Sequence, residues 1–313
     1  MEYNFCVYIE KQMRVDMYLS TLFEDFSRSY IQAIIDSGQV SINSKIVSKN
    51  IKIKNKDEIY IKVVIGYTEL EPEKIDLDVV YEDENILVIN KESGLNVHPV
   101  PGALGTSGTL VNAILYHCKD RLPCIKWTYR PWIVHRLDKD TSGVIMVAKK
   151  DEMMNYLANI IKNRHIEKYY IAIVFGRVEN KKFKIESYIW RDPNNRKKMT
   201  AENPLNPKLA ISYGEVLDYI DDKYTLLKMK IETGRTHQIR VHLASIWYPI
   251  IWDKVYGNTK VNREVELKYE LHRQALHAYE LELELYWKKI EFKAELKDDM
   301  KKIIWEAELN NIL

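Results

Sequence analysis

Features that would assign this chain to a specialised class of protein are scarce in its sequence. The chain has three cysteines in 313 residues (Cys6, Cys118 and Cys124), an odd number without metal-ligand spacing, which favours free thiols over a disulfide framework or a zinc finger. No apolar run approaches the roughly 20 residues that a membrane span needs. The first residues also lack the basic region and apolar core of a signal peptide. We therefore expect a cytoplasmic protein that does not associate with membranes.

A large excess of one charge is also missing. The formal net charge is +2, from 47 basic and 45 acidic residues, so the overall charge does not by itself indicate a nucleic-acid-binding protein. The local distribution is more informative, because residues 181–200 carry seven basic and two acidic side chains. Such a segment can neutralise phosphates, although a solvated charged loop is the commoner meaning of a basic run. With 46% hydrophobic residues, the composition is that of a globular protein with room for one large and one small domain.

The densest group of chemically versatile side chains lies at residues 134–143, Val-His-Arg-Leu-Asp-Lys-Asp-Thr-Ser-Gly. The apolar residues 144–148 follow directly and predict a buried strand. Residues 140–143 are turn formers, so a plain turn explains the second half of the segment. A turn does not explain why an arginine and a carboxylate stand on either side of one leucine. Residue types alone therefore leave open whether the segment is a plain turn or a functional site.

The His-Arg-Leu-Asp sequence at 135–138, followed by Thr-Ser-Gly at 141–143, resembles the signature of the RluA/RluD-type pseudouridine synthases, which convert uridine in RNA to pseudouridine. Two later segments resemble the family's other motifs in the family's order. They are the Lys-x-Tyr-x-Ala element at 168–172 and the sequence Gly-Arg-Thr-His-Gln-Ile-Arg-Val-His at 234–242. The resemblance covers nearly the whole chain.

A pattern of short segments resembles the ribosomal-S4-like RNA-binding module, which is assigned to residues 1–65: Arg14-Val15-Asp16, Ser27-Arg28-Ser29, Gly38-Gln39-Val40 and Asn43. Apolar residues at helical spacing predict two short helices, followed by small strands with a turn at Asn43-Ser44, where the module usually has Asn-Gly. The resemblance implies that Arg14 and Arg28 bind RNA. Residues 66–76 are polar, contain Pro72 and are the predicted linker to a catalytic domain at 77–313.

The fold implied by the resemblance is α/β (α+β). A mixed, mostly antiparallel central sheet flanked by helices is expected for the catalytic domain, together with a small N-terminal S4-like α/β domain. Sequence periodicity agrees at several points. Residues 79–91 predict two strands joined by an acidic turn, leucine alternates with glutamate at 280–285, and residues 235–244 predict a helix.

Pseudouridine formation breaks the bond between ribose and uracil nitrogen, turns the base, and rejoins the sugar to carbon 5. The reaction involves no redox step or phosphate transfer, so we expect neither metal nor cofactor. The resemblance assigns the essential carboxylate to Asp138, which must be ionised. It assigns to Arg240 the cation within about 4–6 Å that favours the charged form. Tyr170 is expected to stack on the uracil and is the candidate for moving the carbon 5 proton.

The target base starts inside RNA structure and must be extruded before its sugar can react. The resemblance implies that Arg136 fills the gap left by the flipped nucleotide, a role that suits a flat guanidinium. We also expect Lys197 and Lys198 to contact RNA. Six further motif residues are expected to shape the site without reacting: His135, Thr141, Ser142, Gly143, His237 and Gln238.

Two histidines of the third motif could suggest a zinc site. His237 and His242 are five residues apart, however, and zinc ligands on one helix face are four apart, so a metal site is not expected. The loop at 249–257 departs from the family pattern, because Trp252 stands where a glycine is usual. Its indole could strain the turn or offer a stacking surface for an RNA base.

Two other functions remain open on the sequence alone. A non-catalytic RNA-binding protein would not need Asp138, Tyr170 and Arg240 together. A retaining glycoside hydrolase using Asp138 and Asp140 would need the two carboxyl groups about 5–5.5 Å apart. The function predicted is RNA pseudouridine synthesis by a monomer. Large-subunit ribosomal RNA is the expected substrate, because relatives with this layout act there, and transfer RNA is the alternative.

Overall fold

The computed structural model describes residues 2–9, 11–23, 28–62, 70–98, 107–119, 132–192, 198–201 and 208–307, with backbone only at 28–30 and 191. The described residues form two compact units, one ending at Leu70 and one starting at Glu71. Within these ranges, none of the helices combines the length and the apolar character needed to cross a bilayer.

The N-terminal unit consists of two helices and six short strands. They are β1 (Glu2–Cys6), β2 (Met13–Arg14), α1 (Val15–Leu22), α2 (Arg28–Asp36), β3 (Val40–Ile42), β4 (Lys45–Ile46), β5 (Lys52–Ile53) and β6 (Glu58–Lys62). Four strands form an antiparallel sheet in the order β1-β6-β3-β4, and β2 pairs with β5. Leu19, Ile31 and Ile35 are among the fully buried residues of its core. Their helical spacing in the sequence therefore predicted the two helices correctly.

The turn between β3 and β4 accommodates the departure from Asn-Gly. Asn43 and Ser44 have φ values of 50° and 65°, and asparagine tolerates this left-handed conformation better than most residues. The Asn43 carboxamide donates to the Asp57 carboxylate at 2.9 Å and accepts from the Glu58 backbone N–H at 2.9 Å. These hydrogen bonds hold the turn against the following hairpin.

The second unit contains ten strands and five helices among its described residues. They are β7 (Val79–Glu82), β8 (Ile86–Lys91), α3 (Leu110–Cys118), β9 (Ser142–Ala148), α4 (Asp151–Lys162), β10 (Ile166–Phe175), β11 (Lys182–Arg191), β12 (Met199–Thr200), β13 (Lys208–Ile220), β14 (Tyr224–Ile231), α5 (Gln238–Ser245), α6 (Thr259–Tyr269), β15 (Leu276–Leu285), β16 (Lys288–Lys293) and α7 (Asp298–Glu306).

A single mixed sheet organises this unit. Its strand order is β12-β11-β13-β14-β10-β15-β9-β8-β7, with β16 beside β15. Among the described strands, β9 and β15 run parallel and the other pairs run antiparallel. Every residue of β8 and β9 is buried, as the apolar run at 144–148 predicted. The mixed, mostly antiparallel α/β fold is thus confirmed.

The register of the central strands brings the first two motifs into one row. Tyr170 on β10 pairs with Ala278 on β15, which pairs with Gly143 on β9. Neighbouring strands are about 4.8 Å apart, so the tyrosine of the second motif and the glycine of the first lie two strand spacings from each other. Residues that are far apart in sequence therefore meet over the middle of the sheet.

Two boundaries differ from the sequence-based assignment. Residues 71–76, assigned to the linker, belong to the second unit, where the Glu73 backbone N–H donates to the Asn112 carbonyl at 3.0 Å. The helix predicted over 235–244 begins at Gln238. The physical reason is that His237 has a left-handed φ of 56°, and the Gln238 side chain accepts the Arg235 backbone N–H at 3.0 Å, which closes a turn.

Candidate active site

Asp138 and Arg240 form an ion pair between the first and third motifs. Nη1 of Arg240 donates a hydrogen bond to Oδ2 of Asp138 at 2.9 Å. The Asp138 side chain is 19% exposed, whereas that of Arg240 is 7% exposed. The carboxylate is therefore open to a substrate, while its cationic partner is enclosed by protein.

Asp253 holds the other side of the same guanidinium. Nε and Nη2 of Arg240 donate to its two carboxylate oxygens at 2.7 and 2.9 Å, a bidentate pairing that fixes the guanidinium plane. Burial disfavours the charged forms, yet the hydrogen bonds from Arg240 lower the pKa of Asp253. Burial acts to lower the pKa of Arg240, but the carboxylate of Asp253, followed by that of Asp138, raises it.

The loop that follows Trp252 supplies Asp253 and is itself tied to that carboxylate. One carboxylate oxygen accepts the backbone N–H groups of Val255 and Tyr256 at 2.8 and 3.1 Å. The Asp253 carbonyl accepts the Gly257 backbone N–H at 3.0 Å. The sequence analysis considered this loop for Trp252 and gave Asp253 no role. What could have identified Asp253 is that it is the single acidic residue of a loop that resembles the family's.

His237 faces the same carboxylate from the start of α5. Its Nε2 lies 3.8 Å from Oδ2 of Asp138, and its Nδ1 lies 2.8 Å from the Tyr256 hydroxyl. That hydroxyl oxygen already accepts the Met199 backbone N–H at 2.8 Å, so the hydroxyl proton is available for Nδ1. Burial lowers the pKa of His237. We therefore assign a neutral imidazole whose proton sits on Nε2 and points toward Asp138.

Tyr170 lies near Asp138, on the face of β10 opposite to Tyr169. Its side chain is buried, and burial together with the nearby Asp138 charge raises the pKa of the phenol. The phenol is therefore protonated in the resting protein. A ring fixed beside a carboxylate can serve as a stacking surface for a flat base.

Arg136 and His135 precede Asp138 and have different surroundings. Arg136 is exposed, so its guanidinium is available for an external partner. His135 turns inward, and its Nε2 accepts the Met146 backbone N–H at 2.9 Å. Burial lowers the pKa of His135 to about 3, so the ring is neutral and acts as a hydrogen-bonding support for the Asp138 loop.

The other motif residues hold the segment that carries Asp138 in place. The Thr141 hydroxyl accepts a hydrogen bond from Gln274 at 2.7 Å, and the Ser142 hydroxyl lies 2.9 Å from Nδ1 of His277. Gly143 has a φ of 113°, and a Cβ built on it would lie 2.1 Å from the Ala278 carbonyl oxygen. Only glycine allows this approach of two backbones.

Gln238 and Lys91 brace the same region through backbone groups. The Gln238 amide donates to the Ile211 carbonyl at 2.9 Å and accepts from the Thr233 hydroxyl at 2.8 Å. Lys91 is buried and donates to three carbonyls, including that of Lys139 at 3.0 Å. Burial lowers the pKa of Lys91 to about 8. Sequence reasoning did not single out Lys91, because its partners are backbone groups that no side-chain pattern reveals.

The residues predicted to bind RNA are only partly described. Arg14 donates two hydrogen bonds of 2.9 Å to the buried Asp16, so its guanidinium already has a carboxylate partner in the N-terminal unit. Lys198 is partly exposed. The side chain of Arg28 and the whole of Lys197 lie outside the described residues.

The basic segment at 181–200 is not the loop that its charge suggested. Residues 182–191 are strand β11, and two of its lysines form ion pairs: Lys182 with Glu215 at 3.0 Å and Lys184 with Glu186 at 2.5 Å. Glu215 lies on the neighbouring strand β13, so a charge count over residues 181–200 does not include it. The prediction of a basic loop is therefore wrong for residues 182–191.

The stacking role suggested for Trp252 is not favoured, because neighbouring side chains already contact its ring. His272 meets the ring edge to face, with centroids 6.1 Å apart, and the Lys254 ammonium lies 4.3 Å from the ring centroid. Its φ is 57°, so the backbone takes the left-handed conformation expected of the family's glycine. The indole is accommodated by being buried beneath the loop.

One group of carboxylates could geometrically hold a cation in the described part of the chain. It consists of Glu280, Glu282 and Glu291 on β15 and β16. Lysines already pair with these carboxylates, as Lys289 does with Glu282 at 2.6 Å and Lys293 with Glu291 at 3.5 Å. Asp138 does not belong to this group.

Comparisons with known proteins agree with this geometry. The family model described as RNA pseudouridylate synthase matches residues 85–245, and the S4 domain model matches residues 13–59. The chain is 38% identical over 298 residues to the uncharacterized RNA pseudouridine synthase YlyB of Bacillus subtilis, covering 94% of each protein. It is 37% identical over 286 residues to a protein of Borreliella burgdorferi named ribosomal large subunit pseudouridine synthase D, covering 88% of this chain and 83% of the relative.

A solved structure shares the fold. Human RNA pseudouridylate synthase domain containing 1 superposes with a TM-score of 0.58 at 24% identity, over 72% of this chain and 85% of the human chain. This likeness shows the fold, whereas the sequence relatives show the family. The two family models and the extent of the sequence matches place this chain in the RNA pseudouridine synthase family, as an isomerase with an N-terminal S4 domain.

Proposed function

We propose that this enzyme isomerises specific uridines of large-subunit ribosomal RNA, with Asp138 as the reacting carboxylate. The observation that carries the proposal is the 2.9 Å hydrogen bond from the enclosed Arg240 to the partly exposed Asp138. An ionised carboxylate with one face held by a cation and the other open to solvent is what a reaction at the ribose requires.

In this mechanism the uridine leaves the RNA stack and its sugar is placed against Asp138. Asp138 then attacks the anomeric carbon or removes a ribose proton, and both routes need its ionised form. The bond between ribose and uracil nitrogen breaks, and its electron pair stays on the base. The base turns and rejoins the sugar through carbon 5, which afterwards loses its proton.

Tyr170 takes the uracil on its ring in this proposal. Its raised pKa keeps the phenol protonated, so its oxygen can accept the carbon 5 proton only as the phenol passes its own proton to another group. Arg136 enters the gap in the RNA, a role supported by its exposure beside Asp138. Arg240, Asp253 and His237 hold the reacting carboxylate in position.

Two observations support ribosomal RNA as the substrate class. The relative from Borreliella burgdorferi carries the name ribosomal large subunit pseudouridine synthase D, and the N-terminal region matches the S4 domain. The same reaction on transfer RNA is the alternative that an experiment must distinguish.

The test is pseudouridine mapping of ribosomal and transfer RNA from cells with and without this protein. We expect one or a few pseudouridines of large-subunit ribosomal RNA to disappear with the gene, and to return with the wild type but not with Asp138→Ala. Loss of sites in transfer RNA alone would contradict the proposed substrate. Rescue by Asp138→Ala would contradict the proposed role of Asp138.

A further inference from the structure

The described part of the second unit buries five cationic side chains, and one of them differs from the rest. Four have acceptors: Lys91 contacts three carbonyls, Lys149 contacts Glu82 and the Asp83 carbonyl, Arg240 contacts two aspartates, and Arg273 contacts Asp299. The fifth is Lys168, which is 8% exposed. None of the described residues accepts a hydrogen bond from its ammonium or forms an ion pair with it.

A lysine whose side chain is largely buried and whose ammonium has no protein acceptor is unfavourable, and such groups concentrate at functional sites. Burial lowers the pKa of Lys168. Its charge in turn contributes to the low pKa of His135, after the larger effect of that ring's own burial. Among the described residues, no carboxylate offsets the effect of burial on the Lys168 ammonium. The surroundings of Lys168 therefore favour an incoming negative charge.

The position of Lys168 relates it to the active site. It precedes Tyr170 by two residues on β10, where the pairing with β14 is regular, so both side chains lie on one face, about 7 Å apart along the strand. Its Nζ lies 3.8 Å from the position that a Cβ would occupy at Gly234. The ammonium therefore lies beside the first residue of the third motif, on the face of β10 that carries Tyr170.

We propose that Lys168 is a substrate-binding residue, whose ammonium pairs with a negatively charged oxygen of the target nucleotide when RNA is bound. This inference rests on the proposed function. Two oxygens share the required chemistry. One is a phosphate oxygen flanking the flipped uridine. The other is a uracil oxygen, which becomes negative when the electron pair of the broken bond to ribose is delocalised over the ring.

The experiment compares wild type with Lys168→Met, which keeps the length of the side chain and removes its charge. The RNA is total ribosomal RNA from cells lacking the protein, on which the wild type restores pseudouridine. Three quantities are measured: Kd over a range of salt concentrations, the single-turnover rate at saturating enzyme, and Tm. A wild type that modifies no RNA contradicts the proposed function, whereas a difference between wild type and variant concerns Lys168.

A contact with the phosphate oxygen and a contact with the uracil oxygen predict different results. A phosphate contact predicts a weaker Kd and a salt dependence of log K lower by roughly 0.7–0.9, with the saturated rate retained. A uracil contact predicts an unchanged Kd and a saturated rate lower by roughly 10²-fold, as for loss of one donor to a developing negative charge. Both results require a Tm at or above that of wild type, because the substitution removes a charge that no described residue pairs with and keeps the largely buried side chain.

Lys149→Met is the matched control, since Lys149 is also buried but has two acceptors. It is expected to lower Tm and to leave Kd, its salt dependence and the saturated rate at wild-type values. Wild-type Kd, salt dependence and rate in Lys168→Met would overturn the proposal. So would a fall in Tm matching that of Lys149→Met, because it would indicate a structural role.

Discussion

Arg240 binds Asp253 through two hydrogen bonds of 2.7 and 2.9 Å, and its third nitrogen donates to Asp138 at 2.9 Å. The guanidinium thus connects a buried carboxylate to a partly exposed one. The buried partner fixes the geometry of the guanidinium, and the exposed partner is the carboxylate that we propose reacts with the substrate.

Asp138→Asn is expected to fold and bind RNA like wild type while losing pseudouridine formation by at least about 10³-fold. The amide keeps the shape of the side chain but cannot supply a negative charge. Single-turnover assays and RNA-binding measurements check the two parts. Asp140→Asn is the matched control and should stay within a few-fold of wild type. Turnover by Asp138→Asn at the wild-type rate would rule out Asp138 as the reacting group.

Asp253→Asn is expected to lower the free energy of unfolding by roughly 3–5 kcal/mol, because it leaves a buried guanidinium with an incomplete partner. It should also slow turnover by roughly 10²-fold through a misplaced Arg240, with Kd for RNA unchanged. Urea unfolding and single-turnover rates give the two values. Asp222→Asn, at a side chain that is 92% exposed, should alter neither. Wild-type turnover in Asp253→Asn would show that Arg240 needs no such support.

Two substitutions at Tyr170 separate its ring from its hydroxyl. Tyr170→Phe keeps a flat ring, so we expect Kd for RNA to be retained and the saturated rate to fall by roughly 10²-fold or more if the hydroxyl moves a proton. Tyr170→Leu removes the stacking surface and should weaken Kd as well. Equal Kd values for all three proteins would argue against stacking on this ring.

Gly143→Ala is expected to prevent stable folding, at a cost above about 4 kcal/mol. The added Cβ would lie 2.1 Å from the Ala278 carbonyl oxygen, and this backbone cannot move aside without disrupting the pairing of β9 with β15. Gly108→Ala is the control, because Gly108 also has a positive φ but no atom within 4 Å of the added Cβ. It should cost only about 1–2 kcal/mol. Similar Tm values for the two variants would contradict the packing argument.

Buried histidines make stability fall in mild acid. Burial lowers the pKa of His277 to about 4, below the value near 6.5 in an unfolded chain. Its contribution is therefore complete above pH 6.5 and is lost as pH falls toward 4. Between pH 7.5 and 5.0, His277→Gln should lose roughly 2 kcal/mol less stability than wild type. Urea unfolding at both pH values measures this.

The control for the pH dependence is His165→Gln, because His165 is exposed. It should lose as much stability as wild type over the same pH range. An identical pH dependence in His277→Gln and wild type would mean that His277 does not contribute to the loss in acid.

Local patterns predicted much of the fold. The buried strand at 144–148, the paired strands within 79–91 and the alternation at 280–285 all form as expected, because each depends on the spacing of apolar residues along one segment. The start of α5 was placed three residues too early, because the Gln238 side chain accepts the Arg235 backbone N–H and closes a turn there. The basic run at 181–200 was misjudged because half of it is a strand, in which Lys182 pairs with Glu215 of the neighbouring strand.

The sequence alone determined the family, the order of its motifs and the residues to be inspected, since residue identity and spacing are one-dimensional properties. Only the tertiary structure decided how those residues act on one another. It joined Arg240 to Asp253, turned His237 toward Asp138, buried Trp252 and left Lys168 without an acceptor among the described residues. These relationships depend on strand register and loop packing between distant segments, and the electrostatics of a site depend on distances and burial that a sequence does not contain.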